Sequence, residues 1–317
     1  MKILIYGAGI IGCTYGWLLS QSGCDITVLV RPNKKESVEK NGIRINCSDF
    51  RTGKKQIVET VFRPKVIDSL SSENDFEYIV VATNNLYLKE ILPLLSEGAG
   101  KAHILFFQNI WFDEFENIAG YLPLEQYFFG FPFMVGGGRD EDTIYSAISV
   151  MKQSYTFLGE LNGKTSSRIL KLVSALSDAG LKPMVSDQIK EWLVTHYAVA
   201  AGLSAGIMKA GCAEKFVNNS TIMKEAVNAI REGLAVCSKM SVEPKSVKAN
   251  RPYYLPLFFL VPVLKRIYRN EGLTIMFNGH TKHSPKEMKK MLTDIIKSGK
   301  DNKLEMSYLI GLQKCIF

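Results

Sequence analysis

The sequence predicts an α/β chain, with a doubly wound parallel sheet at the N-terminus followed by an all-α C-terminal domain. Three observations predict it. Short apolar, β-branched runs alternate with helical stretches through the first half, the pattern of βαβ units and a parallel sheet. A glycine-rich turn, Gly7-Ala8-Gly9-Ile10-Ile11-Gly12, follows directly on the first of those runs. After Ser166 the strand signals stop and helical spacing takes over.

Residues 2–6 form an isoleucine-rich run that ends at glycine and reads as the first strand. Residues 10–22 read as a helix, 25–30 as a β-branched strand, and 78–82 and 103–107 as further buried strands. Residues 155–158, just before Gly159, read as the last strand of this half. Asn162-Gly163 then breaks the pattern, so a boundary is expected there. Residues 1–164 would be the nucleotide-binding domain and 165–317 a helical substrate and dimerisation domain. In that second part, 169–179 is amphipathic and is ended by Gly180-Leu181-Lys182-Pro183. Residues 187–209 form a long helical stretch with small residues at its centre. Another covers 220–238, with Thr221 and Glu225 near its start, and 286–297 and 304–312 complete the set.

Two segments resist this division. Gly136-Gly137-Gly138, after Phe131-Pro132-Phe133, reads as a flexible turn. Residues 250–264 carry Tyr253, Tyr254, Phe258 and Phe259 between prolines. Core packing is the leading expectation for these aromatics, with an apolar substrate pocket or a dimer contact as alternatives.

Composition narrows the classes. At ~150 residues per domain, 317 residues make about two domains. Hydrophobic residues at 46% and charged residues at 22% exclude a disordered chain, a collagen-like rod and a small disulfide scaffold. The six cysteines are scattered with no C-x-x-C pair, and only His280 and His283 form a close histidine pair. Reduced thiols and no metal site are expected. The most apolar stretch, 253–264, is interrupted by Pro256 and Pro262 and closed by Lys265-Arg266, far short of the ~20 residues a span needs. The opening run is too short for a signal peptide. A cytoplasmic protein with no membrane partner is expected. The formal charge of +8 favours anionic partners: nucleic acid, or a phosphorylated cofactor with a carboxylate substrate. No nucleic-acid motif is present to support the first.

The glycine turn fits G-x-G-x-x-G in its confirming context, after a strand and opening a helix. The first glycine makes the turn, the second lets backbone approach a pyrophosphate, and the third lets helix pack on strand. The helix N-terminus then presents free N–H groups to phosphates. This is the fingerprint of a Rossmann-type domain. The end of the second strand selects the cofactor. An NAD site places Asp or Glu there to hold the ribose 2′-hydroxyl. This chain places Arg31, followed by Pro32, Asn33, Lys34 and Lys35. A cationic cluster pairs with a 2′-phosphate, so NADPH/NADP⁺ is expected in preference to NADH.

These residues resemble the ketopantoate reductase (2-dehydropantoate 2-reductase) family. The opening 2–12 is typical of it, as is Val28-Leu29-Val30-Arg31. Gln108-Asn109 resembles the family's Q-N-G turn, Phe157-Leu158-Gly159-Glu160 its last sheet strand, and 304–311 its T-E-I-D-Y-I-N-G motif. The resemblance implies NADPH-dependent reduction of a small anionic 2-keto acid, ketopantoate to pantoate in pantothenate biosynthesis, on a Rossmann domain joined to a helical domain. It implies cofactor contacts from Gly7, Ala8, Gly9, Ile10, Ile11, Gly12, Arg31, Lys34, Asn84 and Asn109. A homodimer is compatible with it. The second half departs from the pattern. The family's catalytic lysine falls on His196, and two asparagines fall on Ala200 and Ser204. A family lysine is Asn84, the glycine of Q-N-G is Ile110, a substrate serine falls near Lys290, and the last asparagine of the C-terminal motif is Ile310.

Reduction of a ketone needs a proton donor or cation near the developing oxyanion. His196 as an imidazolium would fill the lysine's role, and activity would then fall between roughly pH 6 and 8. Glu305 would hold a substrate hydroxyl or orient the acid. Asn109 would position nicotinamide or substrate. Two readings stand beside this one: a reductase of a different, bulkier ketone or keto acid, and a non-catalytic NADPH-binding protein.

Overall fold

The computed structural model describes all 317 residues. Strand β1 (Lys2–Tyr6) runs into helix α1 (Ile10–Gln21) through the glycine turn and returns as β2 (Asp25–Leu29). Helix α2 (Lys35–Asn41) leads to β3 (Ile43–Asp49), β4 (Gln56–Phe62) and β5 (Lys65–Ile67). The alternation resumes with β6 (Tyr78–Val81), α3 (Leu88–Gly98), β7 (His103–Phe106), α4 (Phe112–Ala119) and β8 (Tyr127–Phe131). Then come β9 (Val135–Asp140), β10 (Thr143–Ile148), β11 (Thr156–Gly159), α5 (Ser167–Asp178) and β12 (Pro183–Val185).

The main sheet has the order β12-β11-β8-β7-β6-β1-β2-β5. All its pairings are parallel except β11 with β8. Its central strands are buried on both faces: all four residues of β6 and Ile3 through Tyr6 of β1 are buried. That is why they read as continuous apolar runs without alternation.

A second sheet, β4-β3-β10-β9, was not expected. It packs β9 and β10 on α1, whose other side lies on β1 and β2. Helix α1 is therefore buried almost all round, from Gly12 to Leu19. The glycine triplet lies in this sheet. Gly136-Gly137-Gly138 is part of β9, not a flexible turn. Gly137 holds φ +147, and a Cβ there would stand 2.0 Å from the Tyr145 carbonyl oxygen, so only glycine allows β9 to lie this close to β10.

The chain divides into two compact units, Met1–Ile189 and Lys190–Phe317. The break expected at Asn162–Thr165 is thus displaced to Ile189. The cause is β12, which follows α5 and pairs in parallel with β11. The strand at β11 is not the last, and α5 belongs with the sheet.

The second unit is helical: α6 (Ile189–Ala210), α7 (Ala213–Asn218), α8 (Ser220–Lys239), α9 (Leu257–Tyr268), α10 (Glu271–His283), α11 (Pro285–Asp301) and α12 (Ser307–Ile316). Asn219 caps α8, its Oδ1 accepting from Thr221 N and Ile222 N at 3.1 Å. The small residues of α6 serve close packing. A Cβ on Gly202 would stand 2.7 Å from Ile230 Cγ1, and one on Gly206 2.7 Å from Ala226 Cβ, both on α8. Of the aromatic 250–264 segment, Tyr253 is buried, but Phe258 and Phe259 are 69% and 61% exposed. Core packing therefore fails for the phenylalanines, because Leu260, Val261 and Leu264 take the buried face of α9. No helix is long and apolar enough to cross a membrane.

Candidate active site

In the first unit the predicted cofactor residues come together at the C-terminal ends of four neighbouring strands, β7, β6, β1 and β2. The chain leaves β1 toward β2 on one side, and β6 lies on the other. That is a topological switch point, where open α/β sheets bind ligands.

The three glycines of the turn do different work. Gly7 has φ +115, and a Cβ on it would stand 2.8 Å from Thr83 Cγ2. A Cβ on Gly12 would stand 2.3 Å from the Gly7 carbonyl oxygen and 2.7 Å from Ile5 Cγ2. Packing within the protein therefore demands both. Gly9 differs: a Cβ there would find only Ala82 O, at 3.8 Å. Nothing in the protein requires glycine at that point, whereas a pyrophosphate lying on the backbone does. Gly9 is also the N-cap of α1 and gives the helix no side-chain cap, so its first N–H groups point outward as donors. Ala8, Ile10 and Ile11 supply the backbone of this turn. The turn fits a dinucleotide.

Arg31 follows β2 in extended conformation and caps the short 3₁₀ turn Pro32–Lys34. Its guanidinium is exposed and lies 5.9 Å from the ring centre of Tyr87, a contact that orients it. Lys34 is exposed beside it. Lys35 is engaged elsewhere, donating to Asp68 Oδ1 at 3.1 Å.

The loops after β6 and β7 are tied together. Gln108 Nε2 donates to Thr83 O at 3.1 Å and to Thr83 Oγ1 at 3.0 Å. Asn85 Nδ2 donates to the Asn109 carbonyl at 3.0 Å. Asn109 is buried. Asn84 caps the 3₁₀ turn Asn85–Tyr87, its Oδ1 accepting from Leu86 N at 2.9 Å. Its side chain is thus partly used in holding the loop. Gln108 Oε1 and Asn85 Oδ1 are buried with no hydrogen-bond partner. Two such acceptors at the edge of a nucleotide site would take the N–H groups of a ligand amide.

Sequence reasoning missed Arg139. It stands on β9 and donates from Nη1 to the Ala8 carbonyl, in the middle of the glycine turn, at 3.1 Å. No local signal marks it, because only the second sheet brings β9 over α1.

In the second unit His196 lies on α6. Its ring stacks on Trp192, with centroids 4.8 Å apart and planes at 9°. The ring keeps some solvent contact, yet the protein around it removes enough water to push its pKa down to about 3, with the His280 charge adding to the shift. Burial thus favours the neutral imidazole across pH 6 to 8, against the imidazolium expected for it in that window. Desolvation, which a lone histidine in a sequence does not announce, is the reason. Its neighbour Tyr197 donates to Asp294 Oδ2 at 2.6 Å, and Lys290 Nζ donates to the same oxygen at 2.6 Å.

Glu305 is exposed and accepts from Ser307 Oγ at 2.7 Å. The carboxylate that takes the first N–H groups of α12 is Glu232, accepting from Tyr308 N at 2.9 Å and Leu309 N at 2.8 Å. No group of three or more His, Cys, Asp or Glu side chains is placed to hold a metal.

Comparison with known proteins agrees with this geometry. The model of the family described as "Ketopantoate reductase PanE/ApbA" matches residues 3–163, half of the chain. "Uncharacterized oxidoreductase YkpB" of Bacillus subtilis (strain 168) is 26% identical over 208 residues, 65% of this chain. The match spans 64% of that relative's length. Among solved structures, the ternary structure of D-mandelate dehydrogenase with NADH and anilino(oxo)acetate aligns with a TM-score of 0.78 at 18% identity, covering 100% of this chain and 97% of that one. The 2-dehydropantoate 2-reductase from Geobacter metallireducens GS-15 aligns with a TM-score of 0.73 at 16% identity, covering 100% and 99%. At these identities the likeness is one of fold, a Rossmann-type domain followed by a helical one. With the family model spanning the glycine turn, Arg31 and the loops after β6 and β7, the chain belongs to the ketopantoate reductase PanE/ApbA family of oxidoreductases.

Proposed function

We propose that the protein is an NADPH-dependent reductase that converts a 2-keto acid to a 2-hydroxy acid, in the manner of a 2-dehydropantoate 2-reductase. The observation that carries this reading is Arg31, exposed and oriented by Tyr87 at the end of β2, where an NAD site needs a carboxylate. The cofactor, when bound, supplies a hydride. The chain's own residues do the rest. Gly9 and the first N–H groups of α1 hold the pyrophosphate, with Arg139 fixing the turn from above. Arg31, with Lys34 beside it, pairs with the 2′-phosphate. Asn85 and Gln108 accept from the carboxamide, and Asn84 and Asn109 set the loops that carry them. The positive charge of the chain, +8, attracts both cofactor and carboxylate substrate.

A second reading keeps the cofactor and changes the substrate. Ala200 and Ser204 stand where family asparagines are expected, and His196 where the lysine is. Shorter side chains at these positions would leave room for a bulkier keto acid than ketopantoate. The substrates to test therefore include keto acids with an aromatic side chain beside ketopantoate.

Binding tests the cofactor half. Arg31→Glu should weaken NADPH about 100-fold, since a charge-assisted pair is replaced by repulsion, and should change NADH binding less than about threefold. Equal effects on the two cofactors, read by fluorescence titration, would show that Arg31 does not see the 2′-phosphate. Arg139→Ala should weaken both cofactors alike, by about tenfold, since it acts on the turn common to both. A selective effect on NADPH would contradict that role.

A further inference from the structure

The net charge of the chain is not spread evenly. Lys190–Phe317 carries 20 Lys and Arg against 10 Asp and Glu, whereas Met1–Ile189 carries 19 against 21. The excess lies in the helical unit, and part of it gathers around α9. Between Glu243 and Glu271 stand Lys245, Lys248, Arg251, Lys265, Arg266 and Arg269, with no Asp or Glu among them. All but the partly buried Lys265 are exposed.

The same segment carries an apolar face open to solvent. Leu260, Val261, Leu264 and Tyr268 are buried, where α9 packs on α7, α8 and α10. Phe258, Phe259 and Val263 are more than half exposed, and Leu255, just before the helix, is half exposed. Ile267 is exposed one turn after Val263. This spacing puts the four helical residues on one side of α9. The rings of Phe258 and Phe259 lie 4.2 Å apart between centroids. The face is therefore contiguous, which marks an interaction site, as single scattered apolar residues do not. It is also firmly held. Arg231 on α8 donates from Nε to the Tyr253 carbonyl at 2.7 Å and from Nη2 to the Leu255 carbonyl, which fixes the entry to α9. The buried hydroxyls of Tyr253 and Tyr268, at its two ends, meet at 3.5 Å.

We propose that α9 docks the helical unit on an anionic lipid surface, with Phe258 and Phe259 among the acyl chains and the cations of residues 245–269 at the headgroups. A bilayer offers both chemistries in layers, hydrocarbon within and anionic phosphates above it. Lysine and arginine stems are long enough to lie along the apolar level while their charges stay with the phosphates. A second copy fits this face less well. A two-fold contact would set the same cations against their own copies, with no acid among them to offset the repulsion. Nucleic acid would satisfy the charge, but Leu255, Val263 and Ile267 gain nothing from a phosphodiester backbone. The expectation of no membrane partner rests on the lack of a span, and a helix lying on a surface needs none. The proposal does not depend on the reductase reading.

The test is co-sedimentation of the full chain with vesicles of phosphatidylcholine alone and of phosphatidylcholine with about one-third phosphatidylglycerol. Wild type should bind the anionic vesicles at least about tenfold more tightly than the neutral ones, and added salt should weaken that binding. Phe258→Ser with Phe259→Ser should weaken it about tenfold or more. Arg266→Gln with Arg269→Gln should weaken it about 30-fold, at about fivefold per cation. All four positions are exposed, so thermal melts and NADPH binding should be unchanged in both double variants. No binding to anionic vesicles, equal binding to neutral ones, or binding that survives loss of the two phenylalanines would overturn the proposal. So would a wild-type dimer in sedimentation equilibrium that the phenylalanine variant dissociates, which would give the face to a second copy. An oligonucleotide held with the same dependence on Phe258 and Phe259 would overturn it in favour of nucleic acid.

Discussion

Gly12→Ala should destabilise the first unit by about 3 kcal/mol or more, the cost of an overpacked core where the blocking atom is backbone. The new Cβ would stand 2.3 Å from the Gly7 carbonyl oxygen, and that oxygen cannot retreat without undoing the turn. Gly9→Ala should behave in the opposite way. Its Cβ meets nothing closer than 3.8 Å, so stability should change by less than about 1 kcal/mol, mainly through the cap. Cofactor binding should nevertheless fall about 100-fold, because the methyl group occupies the approach of the pyrophosphate. Thermal melts and a cofactor titration on the two variants check both halves. Stability loss in Gly9→Ala without loss of binding would mean that the turn is architecture and not a site.

Acid should destabilise the helical unit through His196. Its unfolded value is 6.5, and burial holds the folded value near 3. A histidine whose pKa is lowered on folding stabilises the native state while it is neutral in both states, above pH 6.5. As the pH falls below 6.5 the unfolded chain takes the proton and the native one does not, so this stability is lost between pH 6.5 and 3. Going from about pH 7.5 to about pH 4.5 should cost about 2–3 kcal/mol through this residue alone. His196→Gln should lack that portion, so its unfolding free energy should fall correspondingly less over the same range. Denaturant melts of the two proteins at both pH values measure it. Equal losses would show that His196 titrates as an ordinary histidine, and would reopen its role as an imidazolium.

What was legible in the sequence was what is local. The glycine turn and Arg31 could be read because six consecutive residues and one strand end carry their chemistry. The long helix α6 could be read from its spacing, and its small residues are explained by the approach of α8. The second sheet could not. Its central pairing joins Arg44 to Thr143 and Asp49 to Ile148, about a hundred residues apart, and no local pattern states such a partner. Its absence from the reading carried two errors with it, a flexible turn at Gly136-Gly137-Gly138 and no notice of Arg139. The early boundary has a similar cause: β12 is three residues long and opens with proline, which reads as a stop. His280 and Glu287 lie in a lysine-rich stretch that looks like a solvated face, and only the packing of α10 on α11 brings them within 3.9 Å of one another. Residues near one another in the chain were found, and residues brought together by the fold were not.

The measurement that tests the account most directly is consumption of NADPH by the purified protein, followed by its absorbance, with ketopantoate and a series of bulkier 2-keto acids, repeated with NADH. The account predicts turnover of at least one 2-keto acid, with kcat/KM at least about tenfold higher for NADPH than for NADH, the difference a 2′-phosphate pair provides. Binding of NADPH with no keto acid reduced, or equal use of NADH, would contradict it.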